Sequence, residues 1–329
     1  GSMSEMDEGR GPDLEELSQR VGRVREALGT VVVGQDEVVE EILTALFTGG
    51  HVLLEGVPGV AKTLIARSVA AALGLEFRRI QFTPDLMPAD IVGTNVFEFQ
   101  SGRFRLQKGP VFTQVLLADE INRTPPKTQA ALLEAMAEGH VTIDGETHAL
   151  AEPFFVMATQ NPLEHEGTYP LPEAQLDRFL MKVLVDYPGR DEEVQIYRRF
   201  LQGTLHLLPR EVGLEPVLAP GDVQAVRGVL GRVHVEDELL GYVRSLVEAT
   251  RASRHLSFGA SPRAGMALIA AARTRAALDG RDYVIPDDIK RMARPVMRHR
   301  LLPTPEAELE GLDAEKVLGR VLDEVEVPR

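Results

Sequence analysis

Cysteine is absent from the 329 residues, which excludes disulfides, thiolate metal sites and cysteine nucleophiles. No run of about 18 apolar residues occurs, so no membrane span is expected. No apolar segment of signal-peptide type follows the N-terminus, where Gly1-Ser2-Met3 reads as the scar of a cleaved tag. A cytoplasmic location is the expectation. Lysine and arginine number 36 against 50 aspartates and glutamates, a formal net charge of −14. Phosphate grips need clustered cations, so this balance disfavours general nucleic-acid binding and favours a protein partner. His51, His140 and His165 lack metal-ligand spacing. Repeats and low-complexity segments are absent too. What remains, 44% apolar and 26% charged residues, is globular composition with room for about two domains.

Residues 1–12 are polar and Gly-rich and read as a disordered lead-in. Helical spacing marks residues 14–28 and 36–47. Strands and helices then alternate. Apolar strand runs fall at 51–55, 77–82, 115–118, 154–158 and 181–185, with helices reaching residue 73 and covering 128–138 and 173–179. Strands that are apolar throughout predict a parallel sheet covered by helices on both faces, an α/β fold. Two hairpins interrupt it. Segments 96–99 and 103–106 flank Gln100-Ser101-Gly102, and segments 141–143 and 147–150 flank Asp144-Gly145-Glu146. Beyond Gly189 the reading is helical: 191–201, 222–233, 237–253, 262–279 and 286–297. Asp222, Ser261 and Asp287 are the expected caps. The predicted division is a nucleotide-binding core over 13–189 and a small all-α lid over 190–329.

Gly56-Val57-Pro58-Gly59-Val60-Ala61-Lys62-Thr63 follows a strand and opens a helix, continuing into Leu64. That is the setting of a P-loop, whose backbone N–H groups and helix N-terminus face phosphates. Lys62 is expected on the β- and γ-phosphates of ATP and the Thr63 hydroxyl on Mg²⁺. Alanine stands at 61 where the standard motif has glycine, and a helix-like backbone accommodates it. The apolar strand at 115–118 ends in Asp119 and Glu120. Ligands of open α/β sheets bind at the carboxyl ends of strands. That puts Asp119 beside Mg²⁺ and makes Glu120 the candidate general base. The bland alternative is a capping aspartate beside a solvated glutamate.

With Asp119-Glu120-Ile121-Asn122-Arg123-Thr124-Pro125-Pro126-Lys127-Thr128-Gln129, Ala158-Thr159-Gln160-Asn161-Pro162 and Glu173-Ala174-Gln175-Leu176-Asp177-Arg178-Phe179, the loop resembles the AAA+ superfamily. Within it the chain is most similar to the MoxR family of the helix-2-insert group. The resemblance implies a sensor-1 role for Asn161, against which stands an Asn-Pro turn. It implies that Arg178 is an arginine finger reaching an adjacent subunit, where a salt bridge with Asp177 or Glu173 is the plainer account. It implies that Arg263 is the lid's sensor-2 arginine, in cis or trans. A cation in a first helical turn opposes the helix dipole, so something negative should face Arg263, a phosphate or a carboxylate such as Asp282 or Glu248. Val33, Gly34 and Gln35 would line the adenine pocket, and Arg123 is a lesser interface candidate.

A finger supplied in trans needs a neighbour at every site, which a closed head-to-tail ring provides; a homo-hexamer is expected. The resemblance points to a partner with a von Willebrand factor A domain and to chaperone-like maturation or cofactor insertion. Two other readings stay open, a nucleic-acid motor or loader and the ATPase subunit of a metal chelatase.

Overall fold

The computed structural model describes residues 13–56, 62–160, 167–205 and 214–329. The lead-in at 1–12, Val57, Pro58, Gly59, Val60, Ala61, Asn161 and His165 lie outside them. The chain forms two compact units: Ala27–Val217, and Leu218–Arg329 together with the segment up to Glu26. The helix α1 (Leu14–Gly29) buries Leu17, Val21, Val24 and Leu28 along one stripe, as its spacing predicts.

In the first unit α2 (Asp36–Thr48) stops at Gly49, whose φ of 93° supplies the left-handed C-cap. There follow β1 (Val52–Gly56), α3 (Lys62–Ala72), β2 (Phe77–Gln81), α4 (Pro88–Val92), β3 (Gly93–Glu98), β4 (Arg103–Lys108) and β5 (Val115–Asp119). Then come α5 (Pro126–Glu138), β6 (His140–Ile143), β7 (Glu146–Ala149), β8 (Phe155–Gln160), α6 (Glu173–Leu176), β9 (Met181–Val185) and α7 (Arg190–Leu201). Five strands make one parallel sheet in the order β2-β5-β8-β1-β9. All five stand where apolar runs predict them. The three central strands are buried along most of their length, whereas β2 buries only Ile80 and β9 alternates. Edge position explains this, because an edge strand meets water along one side.

Both predicted hairpins form. In the first, Phe97 stands opposite Phe104. In the second, Asp144 (φ 49°) and Gly145 (φ 80°) both turn left-handed, the backbone that makes Asp-Gly a tight hairpin turn. Val141 and Ile143 of β6 join the apolar cluster of Leu53, Phe82, Leu116, Val156 and Phe179.

The second unit holds α8 (Asp222–Val229), α9 (Asp237–Ala252), β10 (Leu256–Phe258), α10 (Pro262–Leu278), α11 (Pro286–Met297), β11 (Leu302–Pro303), α12 (Pro305–Leu309) and α13 (Ala314–Glu324). α10 packs on α9 and α11, and α13 packs on the same two helices. A short antiparallel ladder, β10 with β11, is a departure from the all-helical expectation. The helix predicted to 233 ends at 229 in a 3₁₀ turn, Leu230–Arg232. Ser261 caps α10 as expected, accepting from the Ala264 amide at 3.3 Å. Asp222 and Asp287 do not hold the cap positions, which fall to Gly221 and Ile285. Carboxylates inside the first turn reach back instead: Asp222 to the Ala219 amide at 2.8 Å and Asp288 to the Ile285 amide at 2.9 Å. The second of these is one arm of a capping box. Among the described residues no helix is long and apolar enough to cross a membrane.

Candidate nucleotide site

β1 ends in Glu55 and Gly56 at the carboxyl edge of the sheet. A Cβ on Gly56 would sit 2.1 Å from the Val185 carbonyl oxygen of β9, so the close approach of two strands already demands glycine there. Lys62 is the first residue of α3, and its ammonium donates to the Gly56 carbonyl at 3.2 Å. The lysine thus bridges the two ends of the loop. Burial lowers its pKa, and the carboxylates of Asp119, Glu55 and Glu120 act against that shift. Thr63 and Leu64 follow, both half-buried. The first turn of α3 carries no acidic side chain, so nothing on that turn quenches the positive helix end.

β5 ends alongside. Asp119 accepts from the Thr159 hydroxyl of β8 through Oδ1 and from the Arg79 guanidinium of β2 through Oδ2. The Thr159 hydroxyl oxygen in turn accepts the Glu120 amide at 2.9 Å. Glu120 has φ 57° and ψ 49°, a left-handed backbone that costs a non-glycine residue about 1–3 kcal/mol and concentrates at functional sites. The turn behind it is held by the buried Gln129 amide, which donates to the carbonyls of Thr124 and Tyr169, each at 2.9 Å. Glu120 pairs with Arg123 at 3.3 Å, both side chains partly exposed. Glu55 accepts from Lys182 at 2.8 Å.

Folding therefore gathers Lys62, Asp119 and Glu120 from segments far apart in sequence. Three members of the cluster escape sequence reading. Glu55 carries the same signal as Asp119, a carboxylate at the end of an apolar strand. Arg79 and Thr159 carry none, because their partner becomes visible only once β2, β5 and β8 lie side by side. Gly34 (φ 73°) abuts Glu192 and Pro188, where an added Cβ would meet the Glu192 Cβ at 2.9 Å. Gln35 is buried and donates to the Asp186 carbonyl at 3.1 Å. Arg178, an exposed residue, donates to the Leu133 carbonyl of α5 at 2.9 Å. Arg263 is exposed in the first turn of α10, in the other unit. Among the described residues no group of three or more His, Cys, Asp or Glu could hold a metal ion. Magnesium needs no such cage, since a hydroxyl, a carboxylate, water and phosphate oxygens are its usual ligands. Thr63 and Asp119 are donors of that kind.

Comparison with known proteins agrees with this geometry. Residues 51–181 match the ATPase family associated with various cellular activities (AAA), and residues 248–320 match the AAA lid domain. The chain is 45% identical to Chaperone MoxR1 of Mycobacterium tuberculosis, over 98% of this chain and 85% of that protein. It is 34% identical to Protein MoxR of Paracoccus denitrificans, over 86% and 88%. A crystal structure of a protein assigned as an ATPase from Cytophaga hutchinsonii superposes with a TM-score of 0.87 at 40% identity, covering 96% of this chain and 97% of that one. With its five-stranded parallel core, helical lid and inserted hairpins, the chain belongs to the MoxR family of AAA+ ATPases and is an ATP-hydrolysing enzyme.

Proposed function

We propose that ATP is bound and hydrolysed where β1 and β5 end, with magnesium, and that the cycle drives chaperone-like remodelling, maturation or cofactor insertion of a protein partner with a von Willebrand factor A domain. One observation carries the catalytic part: a half-desolvated lysine at a helix start, attended by Asp119, Glu55 and Glu120. Desolvation makes its charge more effective toward a triphosphate than it would be in water. Lys62 neutralises phosphate charge, while the amides from Gly56 to Leu64 orient the phosphates. Thr63 and Asp119 would hold the magnesium, directly or through water, and bound magnesium offsets charge on phosphate oxygens. Glu120, off the strand line by its left-handed turn, takes the proton of the attacking water.

Asn161 as sensor, Arg178 as finger, Arg263 as lid arginine and Gly34-Gln35 at the adenine rest on the family resemblance. So does the hexameric ring, which a finger in trans requires. The name of the mycobacterial relative supports a chaperone role. Neither a nucleic-acid motor nor a chelatase subunit is favoured, because the named relatives matched over most of their length carry MoxR names.

Steady-state hydrolysis with magnesium and with a chelator, in wild type and in Glu120→Gln, tests the site. Turnover by Glu120→Gln at the wild-type rate would remove the general base. Light scattering with a non-hydrolysable ATP analogue tests the ring, and a purely monomeric result would reject it.

A further inference from the structure

Within the helical unit a cavity of about 450 Å³ lies between the C-terminal turns of α9 and α13, with the turn from Ser253 to His255 as a further wall. Its size falls in the range of about 300–1,000 Å³ common to small-molecule sites. The apolar part of the lining is short-chained, Ala249 and Ala252 from α9 with Val317 and Val321 from α13. The polar part is mostly basic: Arg254 and Arg320 stand with His255, and Glu324 is the carboxylate among them.

Contacts outside the cavity hold its walls. Glu315 ties the start of α13 to Arg294 at 3.1 Å and to Arg298 at 2.6 Å. The Thr304 amide donates to the His255 carbonyl at 2.9 Å. The Thr250 hydroxyl of α9 accepts the Ala260 amide, also at 2.9 Å.

The charges on the lining are not paired off. Among the described residues the side chains of Arg254 and Glu324 have no hydrogen-bond or ion-pair partner, and that of Arg320 meets only His255 Nε2, at 3.5 Å. Elsewhere in the unit arginines close on carboxylates, Arg281 on Asp288 and Arg298 on Glu315. The negative end of α9 accounts for one cation just past it. It does not account for a second, Arg320, brought to the same cavity from α13. Two cations against one carboxylate leave a single positive charge facing a partly apolar space, on a chain whose formal charge is −14.

We propose that this cavity binds a small monocarboxylate with an apolar body. The two guanidiniums donate charge-assisted hydrogen bonds to the carboxylate, and the body covers the alanines and valines. Glu324 sets the limit on charge, because it repels a second anionic group. An amine of the same shape meets two cations for one carboxylate and is turned away.

Isothermal calorimetry on the full chain, with phenylacetate, phenethylamine and sulfate as probes, tests the site. ADP and magnesium are present throughout, to fill the candidate nucleotide site. Phenylacetate should bind most tightly. Arg254→Gln with Arg320→Gln should weaken it about tenfold or more, the loss expected when hydrogen bonds to a charged group go. Ala252→Phe should weaken it as strongly by filling the cavity. Glu324→Gln should strengthen phenylacetate binding and raise the affinity for sulfate further. All four positions are exposed, so each variant should melt with the wild type. Absence of saturable heat with phenylacetate, equal binding of phenethylamine, or unchanged affinity in the arginine double variant would overturn the proposal. So would weaker phenylacetate binding by Glu324→Gln. A phenylacetate signal that appears only when ADP is left out would belong to the other site and would overturn it as well.

Discussion

Arginine–carboxylate pairs stand in both units and do different things in each. At the sheet edge Arg79 holds Asp119 and Arg123 holds Glu120, with side chains between 20% and 55% exposed. In the helical unit Arg281 grips both oxygens of Asp288 at 2.7 Å, and that aspartate, 4% exposed, also accepts the Ile285 amide. The first kind is open enough to exchange partners when a ligand arrives. The second has its carboxylate buried, with the guanidinium 21% exposed, and fixes the start of α11. The same chemistry is therefore adaptable at the site and structural in the lid, and burial makes the difference.

Substitutions can break or sharpen that contrast. The largest expected effect is on Glu120→Gln, where hydrolysis should fall by about 10²–10⁴ while nucleotide binding, read by calorimetry, survives. Asp288→Ala should instead cost about 1.5–3 kcal/mol of stability, because it removes the charged acceptor of two Arg281 hydrogen bonds and of the Ile285 amide. Thermal unfolding would show it, and a melting point equal to wild type would end the contrast. Lys62→Met comes next. Burial lowers the Lys62 pKa, so charge on the lysine destabilises the folded state below that lowered value, and the penalty fades as pH rises toward the ordinary lysine range. The methionine variant should therefore melt above wild type near neutral pH, by a margin that shrinks in alkali, while losing hydrolysis. Smallest is Arg123→Ala, which removes an exposed pair worth about 0–1 kcal/mol. Its melting point should hardly move, yet turnover should change, since Glu120 loses its resting partner. An unchanged turnover number would make Arg123 a surface residue and nothing more.

Much of this was legible beforehand, for particular reasons. Central strands such as Val115–Asp119 are buried on both faces, so their apolar runs announce them. Asp144-Gly145 announces its turn because both residues tolerate a positive φ. The caps at Asp222 and Asp287 were misplaced because acidic residues favour both the cap and the first turn, where Asp222 and Asp288 instead reach back to the Ala219 and Ile285 amides. The ladder of β10 with β11 is too short to give a periodic signal, whereas α13 carries one in Val317, Leu318 and Val321 that the helices assigned above, ending at 297, leave out. Arg79 looked like any edge-strand cation.

By itself the sequence determined the elements, the loop that spans from Gly56 to Lys62 and the carboxylates that close β5, because each of these is a local pattern of periodicity, turn chemistry or motif. The tertiary structure decided which charges meet. Only the parallel alignment of β2, β5 and β8 delivers Arg79 and Thr159 to Asp119, and only the packing around Lys62 strips enough water to shift its proton affinity. Strand register and desolvation arise between segments, and no single segment encodes them.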